Sequence, residues 1–178
     1  MGQNQNKTGS KRLGRRVISR GLSRKRGGEV VEAAFLARAS LLGFRVSKPW
    51  GDSDRYDFVV EGEQGFWRVQ VKLTTYFRRA AYRVTLSARG KTYTAEDIDF
   101  LVVYIGPENL WYVLPVEMVA SKKGLGLRPN AVRSKFNRYR EAWCLLACSR
   151  KARGWKDIPV VCRCRELQAR CAVCPNRM

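Results

Sequence analysis

Two stretches near the middle of the chain alternate apolar and polar residues with a period of two. The apolar positions are Tyr56, Phe58 and Val60 in residues 55–61, and Trp67, Val69, Val71 and Leu73 in residues 66–74. This period is typical of β-strands that bury one face. The four residues between them, Gly-Glu-Gln-Gly at 62–65, predict a β-hairpin.

The length of that loop predicts the register of the hairpin. A four-residue connection pairs Glu61 with Phe66, and counting outward pairs Asp57 with Gln70. The alternating apolar residues then share one face, and a slip of one residue would destroy this match. The polar face is predicted to carry Asp57, Arg68, Gln70 and Lys72. Opposed residues place their Cβ atoms roughly 5 Å apart, so Asp57 and Gln70 could share one cation, with Lys72 one step along the same face.

The remaining pattern predicts a mixed α/β domain. Residues 28–42 are expected to form a helix whose apolar side carries Val31, Ala34, Phe35, Leu41 and Leu42, with Glu32 at its border and Glu29 toward solvent. Further strands are predicted at 44–47, 81–88, 100–105 and 110–114, and the last two should form a hairpin across Gly106-Pro107. A short turn of helix capped at Thr94 is also expected, as are helices at 115–120 and 137–146.

The composition excludes several kinds of catalytic site and indicates a class of partner. The 178 residues contain no His, which excludes Ser-His-Asp and Cys-His nucleophiles, imidazole zinc ligands and histidine bases. A net charge of +20 indicates a polyanionic partner, with nucleic acid ahead of an acidic membrane surface. The longest apolar run has six residues, Phe100 to Ile105, far short of the ~20 of a membrane-spanning helix. We therefore expect a cytoplasmic, nucleoid-associated protein that makes no membrane contact.

The positive charge is concentrated at the two ends. Residues 1–26 hold nine Lys or Arg and no acid, residues 150–178 hold eight against two acids, and residues 27–149 carry only +5. The interpretation is a globular domain at 27–149 between a basic, disordered arm at 1–26 and a basic Cys-rich tail at 150–178. Predicted nucleic-acid contacts are Lys11, Arg12, Arg15, Arg16, Arg20, Arg24, Lys25 and Arg26 in the arm, and Arg68 in the hairpin. A narrow apolar stripe in the arm leaves organelle targeting open.

The tail contains four cysteines with the spacing C-x-C-x6-C-x2-C. These are Cys162, Cys164, Cys171 and Cys174. Four thiolates can close a tetrahedral zinc site, and an unstructured reduced tail is the alternative. Cys144 and Cys148 lie four residues apart in an apolar segment and are expected to be core thiols.

The hairpin and the helix before it resemble the PD-(D/E)XK nuclease superfamily. That family carries an acid on a core helix and a hairpin with Asp followed by (Glu or Gln)-x-Lys, here Gly28-Glu29-Val30-Val31-Glu32, Arg55-Tyr56-Asp57 and Gln70-Val71-Lys72. The chain is similar to the branch with archaeal Holliday-junction resolvases and group I intron homing endonucleases, over about residues 24–146. The resemblance implies an α/β fold with a restriction-endonuclease-like mixed sheet flanked by helices, and flexible basic N- and C-terminal segments.

The resemblance also implies a metal-dependent DNA endonuclease with four catalytic residues. Asp57 would be the main Mg²⁺ or Mn²⁺ ligand, Glu32 a second, and Gln70 a third through its amide oxygen. Lys72 would orient the attacking water and stabilise charge on phosphorus. Gln70 departs from the commoner Glu and should bind Mg²⁺ more weakly, although Gln occurs at this place in the homing branch. Symmetric substrates in this superfamily imply a homodimer.

Three other interpretations remain open on the residues alone. Asp57 could be a strand-end acid paired to Arg55 or Arg68, with Gln70, Lys72 and Glu32 as solvent-facing positions. The domain could keep the fold and bind nucleic acid without catalysis. A basic peripheral membrane protein is the third alternative.

Overall fold

The computed structural model describes residues 23–51, 53–62, 65–88 and 90–147. Two helices form within these residues, α1 (Arg24–Leu41) and α2 (Cys144–Ala147). The strands are β1 (Val46–Ser47), β2 (Phe58–Gly62), β3 (Gly65–Thr74), β4 (Phe77–Arg78), β5 (Ala81–Thr85), β6 (Ser87–Ala88), β7 (Lys91–Thr92), β8 (Phe100–Ile105), β9 (Leu110–Pro115) and β10 (Gly124–Leu127). Short 3₁₀ turns lie at Gly106–Glu108, Val116–Met118 and Asn137–Tyr139. The predicted mixed α/β class is confirmed.

A five-stranded mixed sheet in the order β1-β2-β3-β8-β9 forms the centre. β3 and β8 are parallel, and the other neighbours are antiparallel. In the β2–β3 hairpin Glu61 pairs with Phe66 and Phe58 with Val69, which confirms the predicted register. The β8–β9 hairpin also lies where the pattern predicts it, across a 3₁₀ turn that contains Pro107.

Both faces of the central sheet are covered. On one face α1 buries Val31, Phe35 and Ala39 against β2, β3 and the even-numbered residues of β8. On the other, a three-stranded sheet in the order β10-β5-β4 packs against the odd-numbered residues of β8, which are Leu101, Val103 and Ile105. Helix α1 and the smaller sheet therefore lie on opposite sides of the molecule.

Helix α1 begins four residues before the predicted Gly28. Ser23 is its N-cap, and the side-chain oxygen of Ser23 accepts a hydrogen bond from the Arg26 amide. Gly27 is buried beside β3, since a Cβ atom there would lie 3.5 Å from Leu73 Cδ2. The prediction took Gly28 as the first residue, whereas both Gly27 and Gly28 lie inside the helix. The predicted buried position of Leu41 is wrong, because Leu41 is exposed, whereas Leu42 packs against the core as expected.

Several predicted elements differ beyond the central sheet. The predicted strand 81–88 is interrupted at Leu86, and strand β10 was not predicted. Residues 115–120 form a single 3₁₀ turn instead of a helix, and residues 137–146 form a 3₁₀ turn followed by the start of α2. Across the described segments no helix is long and apolar enough to cross a membrane.

Candidate active site

Asp57 lies directly before β2 and extends its pairing with β3. The Asp57 amide donates to the carbonyl oxygen of Val69 at 2.9 Å. Its Oδ2 atom accepts from the Val71 amide at 2.7 Å. Because β2 starts only at Phe58, this carboxylate satisfies a β3 N–H group that would otherwise lack a partner on that side. The hairpin thus holds Asp57 through its backbone and its side chain at once.

The Asp57 carboxylate is largely buried and has no paired cation among the residues that the structure describes. Burial raises its pKa above the usual range, and the nearby Glu32 charge adds to the effect. The hydrogen bond from Val71, the charge of Lys72 and the hydrogen bond from Gln70 act in the opposite direction. Within the described segments Asp57 forms no ion pair, and its Oδ1 atom accepts no hydrogen bond. One oxygen therefore remains available for a ligand.

Gln70 contacts Asp57 as the register predicted. Its side chain is 8% exposed, and its Nε2 donates to Asp57 Oδ2 and to the Val71 carbonyl at 3.2 Å. A glutamate at this position would place a second buried negative charge beside Asp57. The amide instead supplies a hydrogen bond, so the pair is compatible with folding in the absence of a cation.

Lys72 lies on the same face of β3, and its ammonium lies over an aromatic ring. The Nζ atom is 5.6 Å from the centroid of Tyr93, and the guanidinium carbon of Arg55 is 5.1 Å from the same centroid. Tyr93 is 1% exposed, and its hydroxyl has no hydrogen-bond partner among the described residues. The ring therefore helps to position the lysine through a cation–π contact, while its hydroxyl contributes no hydrogen bond.

Glu32 reaches the site from α1 and is paired with a residue that the sequence did not single out. Lys48 Nζ lies 2.8 Å from Glu32 Oε2, and this hydrogen bond and charge pairing raise the pKa of Lys48. Asp57 and Glu29 also contribute to that rise. Glu32 is partly buried and Glu29 is exposed, as predicted from the helical stripe. Lys48 follows a two-residue strand and carries no motif, so sequence alone offered no signal for it.

The two arginines proposed as alternative partners of Asp57 are paired elsewhere. Arg55 Nη1 lies 2.8 Å from Asp97 Oδ2, and its Nη2 donates to the carbonyls of Lys91 and Thr92. Arg68 Nε lies 3.2 Å from Asp99 Oδ2, and its guanidinium donates to the carbonyls of Ala95 and Glu96. The strand-end ion pair is therefore wrong for Asp57. The Arg68 guanidinium is engaged with its own chain, and contact with nucleic acid at this position stays a prediction.

Most of the other predicted sites lie outside the described residues. These are Lys11, Arg12, Arg15, Arg16 and Arg20 in the arm, Cys148, and the zinc candidates Cys162, Cys164, Cys171 and Cys174. Arg24, Lys25 and Arg26 belong to the first turn of α1, and their contact with nucleic acid stays a prediction. Cys144 is buried, as expected of a core thiol.

The donor atoms of this site fit a hard divalent cation. Asp57 Oδ1, the Glu32 carboxylate and the Gln70 amide oxygen are ligand types that Mg²⁺ prefers, and a cation between the two carboxylates would relieve their repulsion. In the part of the chain that the structure describes, no group of three or more His, Cys, Asp or Glu side chains could hold a metal. Mg²⁺ is usually held by one or two carboxylates and several waters, so Gln70 would add a ligand only with its amide oxygen turned toward the cation.

Comparison with known proteins identifies the family. The family model described as PD-(D/E)XK endonuclease matches residues 22–146, which span α1, the hairpin with Asp57, Gln70 and Lys72, and the central sheet. The chain belongs to the PD-(D/E)XK endonuclease family. This confirms the resemblance seen in the motifs and places the Asp57 hairpin within the family domain. No curated protein matches the chain significantly.

Two solved structures are similar to this PD-(D/E)XK chain. The bacterial homing endonuclease I-Ssp6803I is 31% identical, with a TM-score of 0.60 over 70% of this chain and 93% of that one. The Holliday junction resolvase Hjc of the archaeal hyperthermophile Archaeoglobus fulgidus is 17% identical, with a TM-score of 0.39 over 57% of this chain and 83% of that one. The first similarity confirms the restriction-endonuclease-like class of the domain.

Proposed function

We propose that this PD-(D/E)XK protein is a DNA endonuclease that hydrolyses phosphodiester bonds with Mg²⁺ or Mn²⁺. The observation that carries the proposal is Asp57, a largely buried carboxylate with a raised pKa, an unused oxygen and no cation partner among the described residues. Groups perturbed in this way beside other ionisable side chains are typical of functional sites. The similarity to a homing endonuclease supports DNA as the substrate.

In this mechanism Asp57, Glu32 and the Gln70 amide oxygen would hold the metal ion. The ion would neutralise charge on the phosphate and lower the pKa of the attacking water. Lys72 hydrogen-bonds that water and stabilises the negative charge that grows on the non-bridging oxygens. The water gives up one proton to solvent as its oxygen forms a bond to phosphorus, the bridging P–O bond breaks, and the leaving oxygen takes up a proton from solvent.

Incubation of plasmid and branched DNA with Mg²⁺, Mn²⁺ or a chelator tests the proposal. Wild type should cleave with either metal and not with the chelator. Asp57→Asn and Lys72→Ala should each lower the cleavage rate by about 100-fold or more, since each removes a group that acts on the transition state. Glu29→Gln is the matched control, because Glu29 is exposed on the same helix as Glu32 and should leave the rate unchanged.

A non-catalytic nucleic-acid-binding protein is the second candidate, and one contact favours it. Glu32 is already paired with Lys48 at 2.8 Å, so a metal must compete with an internal cation for this carboxylate. If wild type binds DNA but cleaves neither linear, supercoiled nor branched DNA with either metal, this candidate replaces the enzyme.

A further inference from the structure

Two open cavities adjoin one another on the side of the molecule opposite α1. The first, of ≈ 960 Å³, lies between the end of β3, β5 and the start of β10, and Lys72 lines it. The second, of ≈ 670 Å³, lies between β10 and the segment at residues 128–136. Both share Arg83, Gly124, Leu125 and Gly126 as walls, so they form one continuous groove that starts at the candidate active site.

Among the described residues, the lining of this basic groove carries positive charge alone. Its charged residues are Lys72, Arg83, Lys122, Lys123, Arg128, Arg133 and Lys135, and no Asp or Glu of the described segments lines either cavity. The concentration is unexpected for a domain whose residues 27–149 carry only +5. A cleft lined by one sign of charge attracts the opposite charge more strongly than scattered surface residues do.

Within the described segments, the bases of the groove also lack carboxylate partners. The ion pairs of the described chain use Arg38, Arg45, Lys48, Arg55 and Arg68, none of which lines the groove. Contacts made by the groove bases are with neutral groups. Lys122 donates to the Met118 carbonyl, Arg83 donates to the Arg78 carbonyl at 3.3 Å, and Lys135 lies over the Phe136 ring at 4.8 Å. These contacts leave the charge uncompensated.

Two glycines of β10, Gly124 and Gly126, line the groove and place no side chain in it. A Cβ atom at Gly126 would lie 3.2 Å from Ala81 Cβ and 3.4 Å from Arg83 Nη1. At Gly124 it would lie 3.1 Å from the Val84 carbonyl oxygen. A side chain at either position would therefore make a tight contact with β5, at Ala81 or at the Val84 carbonyl. The glycines allow a polymer backbone to approach the strand closely.

We propose that this groove binds the sugar-phosphate backbone of duplex DNA next to the cleaved bond, from Lys72 at the active site to Arg133 and Lys135 at the far end. The inference rests on the proposed function, because Lys72 links the groove to the scissile phosphate. The domain thus binds DNA through its own surface, in addition to any contribution of the basic ends of the chain.

The salt dependence of DNA binding tests this inference. Binding of the full chain to a duplex is measured in chelator, which prevents cleavage, between low and high salt. The double variant Arg128→Gln with Lys135→Gln should lower the slope of log K against log salt by about 1.8, since each phosphate contact contributes about 0.9. The matched control, Arg38→Gln with Arg45→Gln, removes the same charge from exposed residues across the molecule and should leave the slope unchanged.

The proposed DNA-binding groove would be refuted if the groove variant had the same slope of log K against log salt as wild type. It would also be refuted if the control variant lost as much of that slope as the groove variant. Thermal unfolding of both variants should match wild type, because all four residues are exposed. The outcome is separable from the proposed enzyme activity. If wild type fails to cleave with metal but the groove variant loses slope, the endonuclease fails and the groove stands. If wild type cleaves DNA but the groove variant keeps the wild-type slope, the endonuclease proposal stands and the groove proposal fails.

Discussion

The hairpin region and the basic groove use charge in opposite ways. Around the hairpin two arginines have carboxylate partners, Arg55 with Asp97 and Arg68 with Asp99. In the groove seven bases have none, within the residues that the structure describes. Paired charges in the first region hold loops against the sheet, whereas unpaired charges in the second remain available for a polyanion. Asp57 differs from Asp97 and Asp99, because it forms no ion pair within the residues that the structure describes.

The largest effect on stability should come from breaking a hairpin pair. Arg68→Gln removes the guanidinium from Asp99, which is 7% exposed, although the Arg68 backbone amide still donates to Asp99 at 2.9 Å. We expect a loss of about 1–3 kcal/mol in the free energy of unfolding, measured by urea denaturation. Arg128→Gln in the groove should cost nothing measurable. Equal losses for the two variants would remove the distinction between the regions.

The next largest effect should come from substitutions of Tyr93, and it should appear in the catalytic activity. Tyr93→Leu removes the ring beneath the Lys72 ammonium, and the cation–π contact is worth about 0.5–2 kcal/mol, so kcat should fall by roughly 2- to 30-fold. Tyr93→Phe keeps the ring and removes a buried hydroxyl without a partner, so its activity should match wild type and its stability should not fall. Equal kcat values for the Leu and Phe variants would contradict a positioning role.

The raised pKa of Asp57 predicts a pH-dependent stability in the absence of metal. The favourable contribution of Asp57 to the free energy of unfolding is fully present below its pKa in the unfolded state, near 3.8. This contribution is lost as the pH rises through the raised pKa of Asp57 in the folded state. Asp57→Asn should therefore match wild type near pH 3 and become the more stable protein toward neutral pH. Chemical denaturation in chelator across this range measures the difference. Mg²⁺ should stabilise wild type and leave Asp57→Asn unchanged, and a constant difference between the two proteins at all pH values would refute the assignment.

The smallest effect should come from Lys48. Its pair with Glu32 is largely exposed, with 60% and 25% of the two side chains accessible, so it is worth about 0.2–1 kcal/mol. Lys48→Gln frees Glu32 from its internal cation, and the Mg²⁺ concentration for half-maximal cleavage should fall by up to about 5-fold. The control Arg45→Gln breaks the exposed pair with Glu61, away from the site, and should not change it. If Lys48→Gln needed the same or a higher Mg²⁺ concentration for half-maximal cleavage, Lys48 would not compete with Mg²⁺ for Glu32.

Much of the candidate site could be predicted because its geometry is local. The apolar alternation and the four-residue loop predicted the register that places Gln70 beside Asp57, and the helical stripe predicted that Glu32 and not Glu29 faces inward. Element boundaries were less predictable. The start of α1 at Arg24 depends on a Ser23 cap and on a buried Gly27, and β10 has only four residues, two of them glycine.

The hairpin, its polar face and the family motif could be predicted from the residues alone, because strand period, loop length and residue spacing act over a few positions. Which charges are paired depends on tertiary contacts. Arg55 meets Asp97 and Arg68 meets Asp99 across 42 and 31 residues, and the pairing of β5 with β10 brings Arg83 opposite Gly126. A net charge of +5 in residues 27–149 does not reveal how the bases segregate, since that depends on contacts between strands far apart in the chain. The basic groove is a product of that packing.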